Sequence, residues 1–246
     1  MNDKNELLNV IQHCSYQEVL KNIPDNSIDV LLTDPPYNIK IEGEKWDVGF
    51  DFNEWLSLTL PKIKEDGMLL IFNTKENVDR KIKPFIEKFE DETHNFTVVD
   101  IIEWGKTNPR QNVDIYRQYE FLLVAYNNYG TEISDREYSE DDSEYFTNEI
   151  WETASEIGLF KIKGITHPTV KPIRLIEKLL VKLTEIDDVV LDTTSGSGSI
   201  AIACWDTRRD FIACEIDEGY ANNSQKRLEK IKGQVPRTVF LFDLEV

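Results

Sequence analysis

Two adjacent prolines, Pro35 and Pro36, interrupt the chain one residue after Ile28-Asp29-Val30-Leu31-Leu32-Thr33, and no other feature restricts the fold as tightly. The branched apolar run before them reads as a buried strand, and proline cannot continue a strand's hydrogen-bond ladder. The result is a rigid corner, Thr33-Asp34-Pro35-Pro36-Tyr37-Asn38-Ile39, at the carboxyl end of a strand. Open α/β sheets hold their ligands at that end. The corner offers one carboxylate (Asp34), one aromatic face (Tyr37) and carbonyls of restricted direction, parts suited to a flat ring bearing an amide or amine. A plain strand-ending turn with an Asp cap and a packed Tyr uses the same residues, so the rest of the chain has to decide.

Around that corner, apolar periodicity switches repeatedly between the strand and helix spacings. Asn9–Cys14 reads as a strand at a sheet edge and Tyr16–Lys21 as a helix. Lys40–Asp51 reads as a mobile polar loop carrying Trp46. Phe52–Lys64 has helical spacing, ended by Asp66-Gly67. Met68–Phe72 follows as a strand, Val78–Phe89 as an amphipathic helix, and Phe96–Trp104 and Phe121–Tyr126 as two strands. The stretch 127–166 changes character and is dense in Glu, Asp and Ser, with Glu140-Asp141-Asp142 its most acidic part; it reads as a surface insertion. Pro172–Leu183 is the next helix, Val189–Leu191 a strand, Ile200–Trp205 a helix, Phe211–Cys214 a strand and Tyr220–Ile231 a helix. Alternating strands and helices predict an α/β fold: a doubly wound, mostly parallel sheet with helices on both faces. A length of 246 residues suits a single domain over 1–246.

The second informative stretch is strand, Asp192, Thr193-Thr194-Ser195-Gly196-Ser197-Gly198-Ser199, then helix. Glycines at a helix start let backbone approach a ligand closely. After the next strand stands Glu215, about 20 residues on, where a carboxylate accepts hydrogen bonds from the two hydroxyls of a ribose. The combination points to an adenosine-type ligand. The third glycine of a dinucleotide site is missing, since Ala201 occupies that position, which speaks against a pyrophosphate cofactor and a nicotinamide-dependent oxidoreductase. A tight structural turn followed by a surface Glu is the alternative use of these residues.

Taken together and in this order, the two stretches resemble the β group of amino-methylating DNA methyltransferases that use S-adenosylmethionine. Trp46-Asp47, Glu54-Trp55-Leu56, Trp104-Gly105-Lys106 with Glu120 downstream, and His167-Pro168-Thr169-Val170-Lys171-Pro172 are similar to further segments of that family, and the resemblance covers most of the chain. It implies a Rossmann-like methyltransferase fold and transfer of a methyl group to the exocyclic amino group of adenine (N6). N4 of cytosine is the second target, and Asp at the first motif position favours adenine. Asp34, Pro35, Pro36 and Tyr37 are then the catalytic residues: Asp34 and the Pro35 carbonyl accept hydrogen bonds from the amino group, and Tyr37 stacks on the flipped base. Asp34, His167, Thr169, Lys171, Asp192, Ser195, Gly196, Gly198, Glu215 and Asp217 are the implied cofactor contacts. The chain departs from the family pattern where Thr193-Thr194 replaces Pro-Phe and Cys14-Ser15 replaces Gly-Asp, both near the cofactor.

Charge sets the main constraint on partners. The net charge is -18, from 46 acidic against 28 basic residues, a field that does not attract phosphate backbones. DNA contact therefore requires a local basic surface, for which Lys40, Lys45, Trp46, Lys106, Arg110 and Arg117 are the candidates and 127–166 the candidate target-recognition region. A homodimer would assemble the basic surface that a monomer lacks. The same acidity supports a competing reading, a binding protein on this fold with weak or no cofactor use. Three scattered cysteines, Cys14, Cys204 and Cys214, space like neither a zinc site nor a disulfide framework and point to a reducing, cytoplasmic setting. No metal is expected. The polar start lacks a signal-peptide core, and no apolar run approaches the ~20 residues of a membrane span.

Overall fold

The computed structural model describes residues 6–41, 43, 45–106, 119–129, 152–153 and 167–233. The chain divides into two compact units, Ile23–Thr153 and Met1–Asn22 with Ala154–Val246.

In the 23–153 unit, β2 (Ile28–Thr33) runs parallel to β3 (Ile63–Asn73), β3 pairs antiparallel with β5 (Tyr119–Asn127), β5 antiparallel with β4 (Phe96–Lys106), and β4 parallel with the two-residue β6 (Glu152–Thr153). Leu31, Leu32, Leu69, Leu70, Ile71, Phe72, Leu122 and Leu123 are fully buried, which explains why these strands read as continuous apolar runs rather than alternating ones. Trp104 is buried edge-to-face against Phe72, with ring centroids 6.4 Å apart. Trp55 is buried from α2 (Phe52–Thr59), whose N-cap Asp51 accepts from the Asn53 and Glu54 amides.

Three boundaries differ from the sequence reading. Helix α2 stops at Thr59, because Pro61 draws the chain into a 3-10 turn over Leu60–Lys62. Asp66-Gly67 does not end a helix; it lies inside β3, in a bulge where Ile63 to Met68 face only Ile28 to Val30. A Cβ on Gly67 would sit 2.5 Å from Ile63 Cγ2 and 3.0 Å from the Asp29 carbonyl oxygen, so the glycine serves close packing. The helix expected over Val78–Phe89 is α3 (75–86), which includes a π turn at Val78–Ile82 and ends at Ile86.

The other unit holds the parallel strands β1 (Ile11–His13), β8 (Asp210–Glu215) and β7 (Val189–Asp192), with β8 between the other two. Its helices are α1 (Tyr16–Leu20), α4 (Ile173–Leu183), α5 (Ser199–Thr207) and α6 (Glu218–Lys232). Strand β1 is the expected edge strand. Helix α4 buries Leu175, Ile176, Leu179 and Leu180. Ser15 caps α1 in a reciprocal capping box with Glu18. Buried Arg209 ties two helix ends together: its guanidinium donates to the Thr207, Leu180 and Thr184 carbonyls and to Thr184 Oγ1. The Leu180 carbonyl also accepts from the Thr184 amide and hydroxyl. Arg209→Met keeps the bulk and removes this donor from the Thr207 and Thr184 carbonyls, so chemical denaturation is expected to give a loss of about 2–4 kcal/mol.

Candidate active site

Strand β2 delivers Asp34 to the corner, and two buried asparagines at the end of β3 hold the corner in place. Asn77 Nδ2 donates to the Tyr37 carbonyl at 2.8 Å and to Asn73 Oδ1 at 2.7 Å. Asn73 Nδ2 lies 3.4 Å from the Pro35 carbonyl oxygen, a long contact that leaves that oxygen acceptor capacity. The π turn begins directly after Asn77, and such turns often mark functional positions. Asn77→Ala would remove this donor from the Tyr37 carbonyl, while Asn73 Oδ1 keeps the Thr74 amide at 2.9 Å. It is expected to cost about 1–3 kcal/mol of stability for the carbonyl that loses its Asn77 donor. Misplacing the corner should also slow any chemistry there by about tenfold or more, a pairing that melting curves and turnover measured on one preparation will check.

The Tyr37 hydroxyl sits between two carboxylates, 2.7 Å from Asp34 Oδ1 and 3.1 Å from Glu120 Oε2. Burial, together with the negative charge of Asp34 and Glu120, pushes the Tyr37 phenol well above the usual tyrosine range, so the hydroxyl keeps its proton. Glu120 enters from the start of β5, 83 residues away in sequence, and is largely buried.

The segment after the corner is not a loose loop, contrary to the expectation for Lys40–Asp51. Asp47 is fully buried and accepts from the Asn38 and Ile41 amides at 2.8 and 3.0 Å. The Asn38 side chain pairs reciprocally with the Phe50 backbone, both contacts at 2.9 Å. Asn38 takes a positive φ of 58°, which asparagine tolerates better than most residues. This tied segment presents Lys40 and Lys45 to solvent and half-buries Trp46. Of the other basic candidates, Lys106 is described by its backbone alone, at the end of β4, and Arg110 and Arg117 lie outside the described residues, as does most of 127–166.

The glycine stretch lies in the other unit. Glu215 is buried at the end of β8, and its two oxygens accept from the Gly196 and Asp217 amides, each at 2.8 Å. Burial pushes the Glu215 carboxyl up, while these amide hydrogen bonds oppose the shift. The Gly198 amide donates to the Ser195 carbonyl at 2.8 Å. Both glycine N–H groups are therefore taken up inside the protein, and what the glycines supply is conformation and room. Gly196 has φ +51°, and a Cβ there would meet His167 Nε2 at 2.9 Å; Gly198 has φ +77°, and a Cβ would meet Ser224 Cβ at 2.8 Å.

His167 is half-buried, its Nδ1 against the Thr169 carbonyl and its ring edge-to-face with Tyr220 at 4.5 Å. The Thr169 carbonyl and amide both lie against Nδ1, so this short turn holds the ring beside Gly196. Asp192 is buried and accepts from the Thr194 amide at 3.2 Å. Asp217 caps α6 through the Tyr220 amide, and Lys171 is buried. Arg227, which nothing in the sequence singled out, donates from α6 to the Ser197 carbonyl and braces the glycine turn. Ser195 Oγ is buried and has no hydrogen-bond partner among the described residues. Ser195 and a ribose-ready carboxylate at Glu215 are what an adenosyl ligand bearing hydroxyls and amines would satisfy. Among the described residues no cluster of His, Cys, Asp or Glu is arranged to hold a metal ion, and no helix is long and apolar enough to cross a membrane.

Comparison with known proteins agrees with this geometry. The N6/N4 family model described as DNA methylase matches residues 28–226, and the chain belongs to that family. It is similar to the Type II methyltransferase M.HinfI of Haemophilus influenzae, 26% identical over 98% of this chain and 74% of that protein. It is also similar to the Type II methyltransferase M2.MboI of Moraxella bovis, 28% identical over 87% of this chain and 85% of that protein. Among solved structures, that of M1.HpyAVI with SAM superposes with a TM-score of 0.67 at 27% identity, covering 89% of this chain and 98% of that one. The fold is Rossmann-like, with a mostly parallel sheet and flanking helices. The PvuII cytosine-N4-specific DNA methyltransferase shares it too, with a TM-score of 0.61 at 16% identity over 91% of this chain and 93% of that one.

Proposed function

We propose that the protein is an S-adenosylmethionine-dependent DNA methyltransferase that methylates the N6 amino group of adenine. One observation carries the reading: a proline-stiffened Asp34 carboxylate, with the Pro35 carbonyl and the Tyr37 ring beside it, within a chain of the DNA methylase family. An exocyclic amine is a poor nucleophile because its lone pair is delocalised into the ring. Hydrogen bonds from its two hydrogens to Asp34 and the Pro35 carbonyl favour a pyramidal nitrogen and expose that lone pair. Pro36 restricts Pro35 to extended backbone and so aims its carbonyl. Tyr37 stacks on a base flipped out of the duplex. The protein's contribution is alignment, worth several kcal/mol of barrier.

The donor half is the glycine unit. Glu215 would accept the ribose hydroxyls, Ser195 Oγ would gain a partner, and Asp192, Gly196, Gly198 and Asp217 shape the adenosine end, with His167, Thr169 and Lys171 at the methionine end. S-adenosylmethionine supplies a methyl group already activated on a positive sulfur, so the residues have only to orient it. Lys40, Lys45 and Trp46 on the tied segment, with Lys106, Arg110 and Arg117, form the basic surface for DNA, and 127–166 the target-recognition region of a single catalytic domain. A homodimer would enlarge that basic surface. Cytosine N4 is the second reading, since the fold is shared with a cytosine-specific enzyme.

Calorimetry tests the donor: heat is expected with S-adenosylmethionine and none with NAD, and the reverse would overturn the reading. Plasmid DNA recovered from a methylation-deficient host expressing the protein tests the base. Its nucleosides are expected to contain N6-methyldeoxyadenosine; N4-methyldeoxycytidine in its place would assign the second reading.

A further inference from the structure

We propose that Glu120 is a positioning residue of methyl transfer: it takes over the hydrogen bond of the Tyr37 hydroxyl when the target amino group takes Asp34. The proposal rests on the methyltransferase reading above and adds a residue to its site.

A phenol has one hydrogen, and that of Tyr37 stands between two acceptors. The shorter contact, 2.7 Å, is to Asp34 Oδ1, so without substrate the hydroxyl lies on the carboxylate that the amine needs. An entering amino group donates to that carboxylate and displaces the hydroxyl hydrogen. A buried phenol hydrogen left without an acceptor is costly, and the ring would have to tilt away to reach water. Glu120 Oε2, 3.1 Å from the same oxygen, removes that requirement. Only the hydroxyl hydrogen swings; the ring stays where the base stacks. The backbone is suited to such a switch, since Asn77 holds the Tyr37 carbonyl at 2.8 Å. Glu120 is itself fixed, largely buried and paired through β5 opposite Trp104 of β4. Its charge makes it a stronger acceptor than an amide or a carbonyl at the same place.

A glutamate with a merely structural role would matter whether or not Tyr37 has a hydroxyl. The test is therefore a cycle of four proteins: wild type, Glu120→Gln, Tyr37→Phe and the double variant, each turned over with methyl-labelled S-adenosylmethionine on unmethylated genomic DNA. Glu120→Gln is expected to lower kcat about tenfold, the scale of one charge-assisted hydrogen bond, with KM for S-adenosylmethionine unchanged. On the Tyr37→Phe background the same change is expected to alter kcat less than about twofold. An equal fall on both backgrounds, or no fall in the presence of Tyr37, overturns the proposal. A second arm needs no substrate: the 13C resonance of tyrosine Cζ, assigned by its loss in Tyr37→Phe, shifts in Glu120→Gln, and an unmoved resonance also overturns it. If Glu120→Gln does not fold, Glu120→Asp replaces it in both arms. A wild type that transfers no label to DNA overturns the methyltransferase reading, and the proposal with it. That failure is distinct from the others because the resonance arm still states whether Glu120 holds the hydroxyl.

Discussion

In the Asp34→Ala variant, turnover on DNA is expected to fall by about 10²–10³-fold or more, the range seen when a preorganised polar partner of a reacting group is removed. The binding constant for S-adenosylmethionine is expected to stay within about threefold of wild type, because in the proposed arrangement Asp34 is one of ten cofactor contacts and the others lie in the Asp192–Asp217 region and the His167 segment. Asp34 is half-buried and accepts from the Tyr37 hydroxyl, for which Glu120 is a second acceptor. Stopped-flow or single-turnover transfer, with calorimetry on the same preparation, separates the two quantities. Loss of both together would mean that Asp34 holds the cofactor rather than the base.

The second large effect falls on the other unit. Glu215→Ala is expected to weaken S-adenosylmethionine by about 3 kcal/mol, roughly a hundredfold in Kd, through two hydroxyl hydrogen bonds to a charged acceptor. The variant also leaves the Gly196 and Asp217 amides without their acceptor, so the glycine turn loosens as affinity falls. Glu215→Gln keeps the shape and one acceptor oxygen and should lie between the two. The pH dependence has a defined sign. The ionised carboxylate is the better acceptor, and burial raises its pKa. Affinity is therefore full at high pH and lost as pH falls, and the loss begins at a higher pH than the titration of an exposed glutamate would give. A titration of Kd against pH in wild type and Glu215→Gln checks this, since the variant should lose the dependence.

The corner itself was legible because its cause is local. Branched residues followed by two prolines end a strand wherever they occur, and β2 ends at Thr33 with Asp34 next. Gly196, Gly198 and Glu215 were legible for a similar reason, although the glycines serve room and conformation, with their amides turned inward. What holds the corner was not legible. Asn77 lies 40 residues from Tyr37 and carries no local signal that separates it from an ordinary helix-start Asn; Glu120 lies 83 away, and the family resemblance that marks it does not give its place beside Tyr37. Asp47 reads as one more acid in a polar loop until its two amide donors are in place. Gly67 was misread because Asp-Gly is a common helix stop, whereas here the helix had already ended before Pro61 and the glycine fills a bulge. For Asn77 and Glu120 the missing information is a partner distant in sequence.

The acidity of the chain sharpens the remaining question, since a net charge of -18 must still admit DNA. Direct transfer answers it. Purified protein is incubated with methyl-labelled S-adenosylmethionine and unmethylated genomic DNA, and the DNA is digested and separated as nucleosides. The account predicts label in N6-methyldeoxyadenosine for wild type and none for Asp34→Ala. Label absent from the DNA of wild type, or equal in the two proteins, would contradict it.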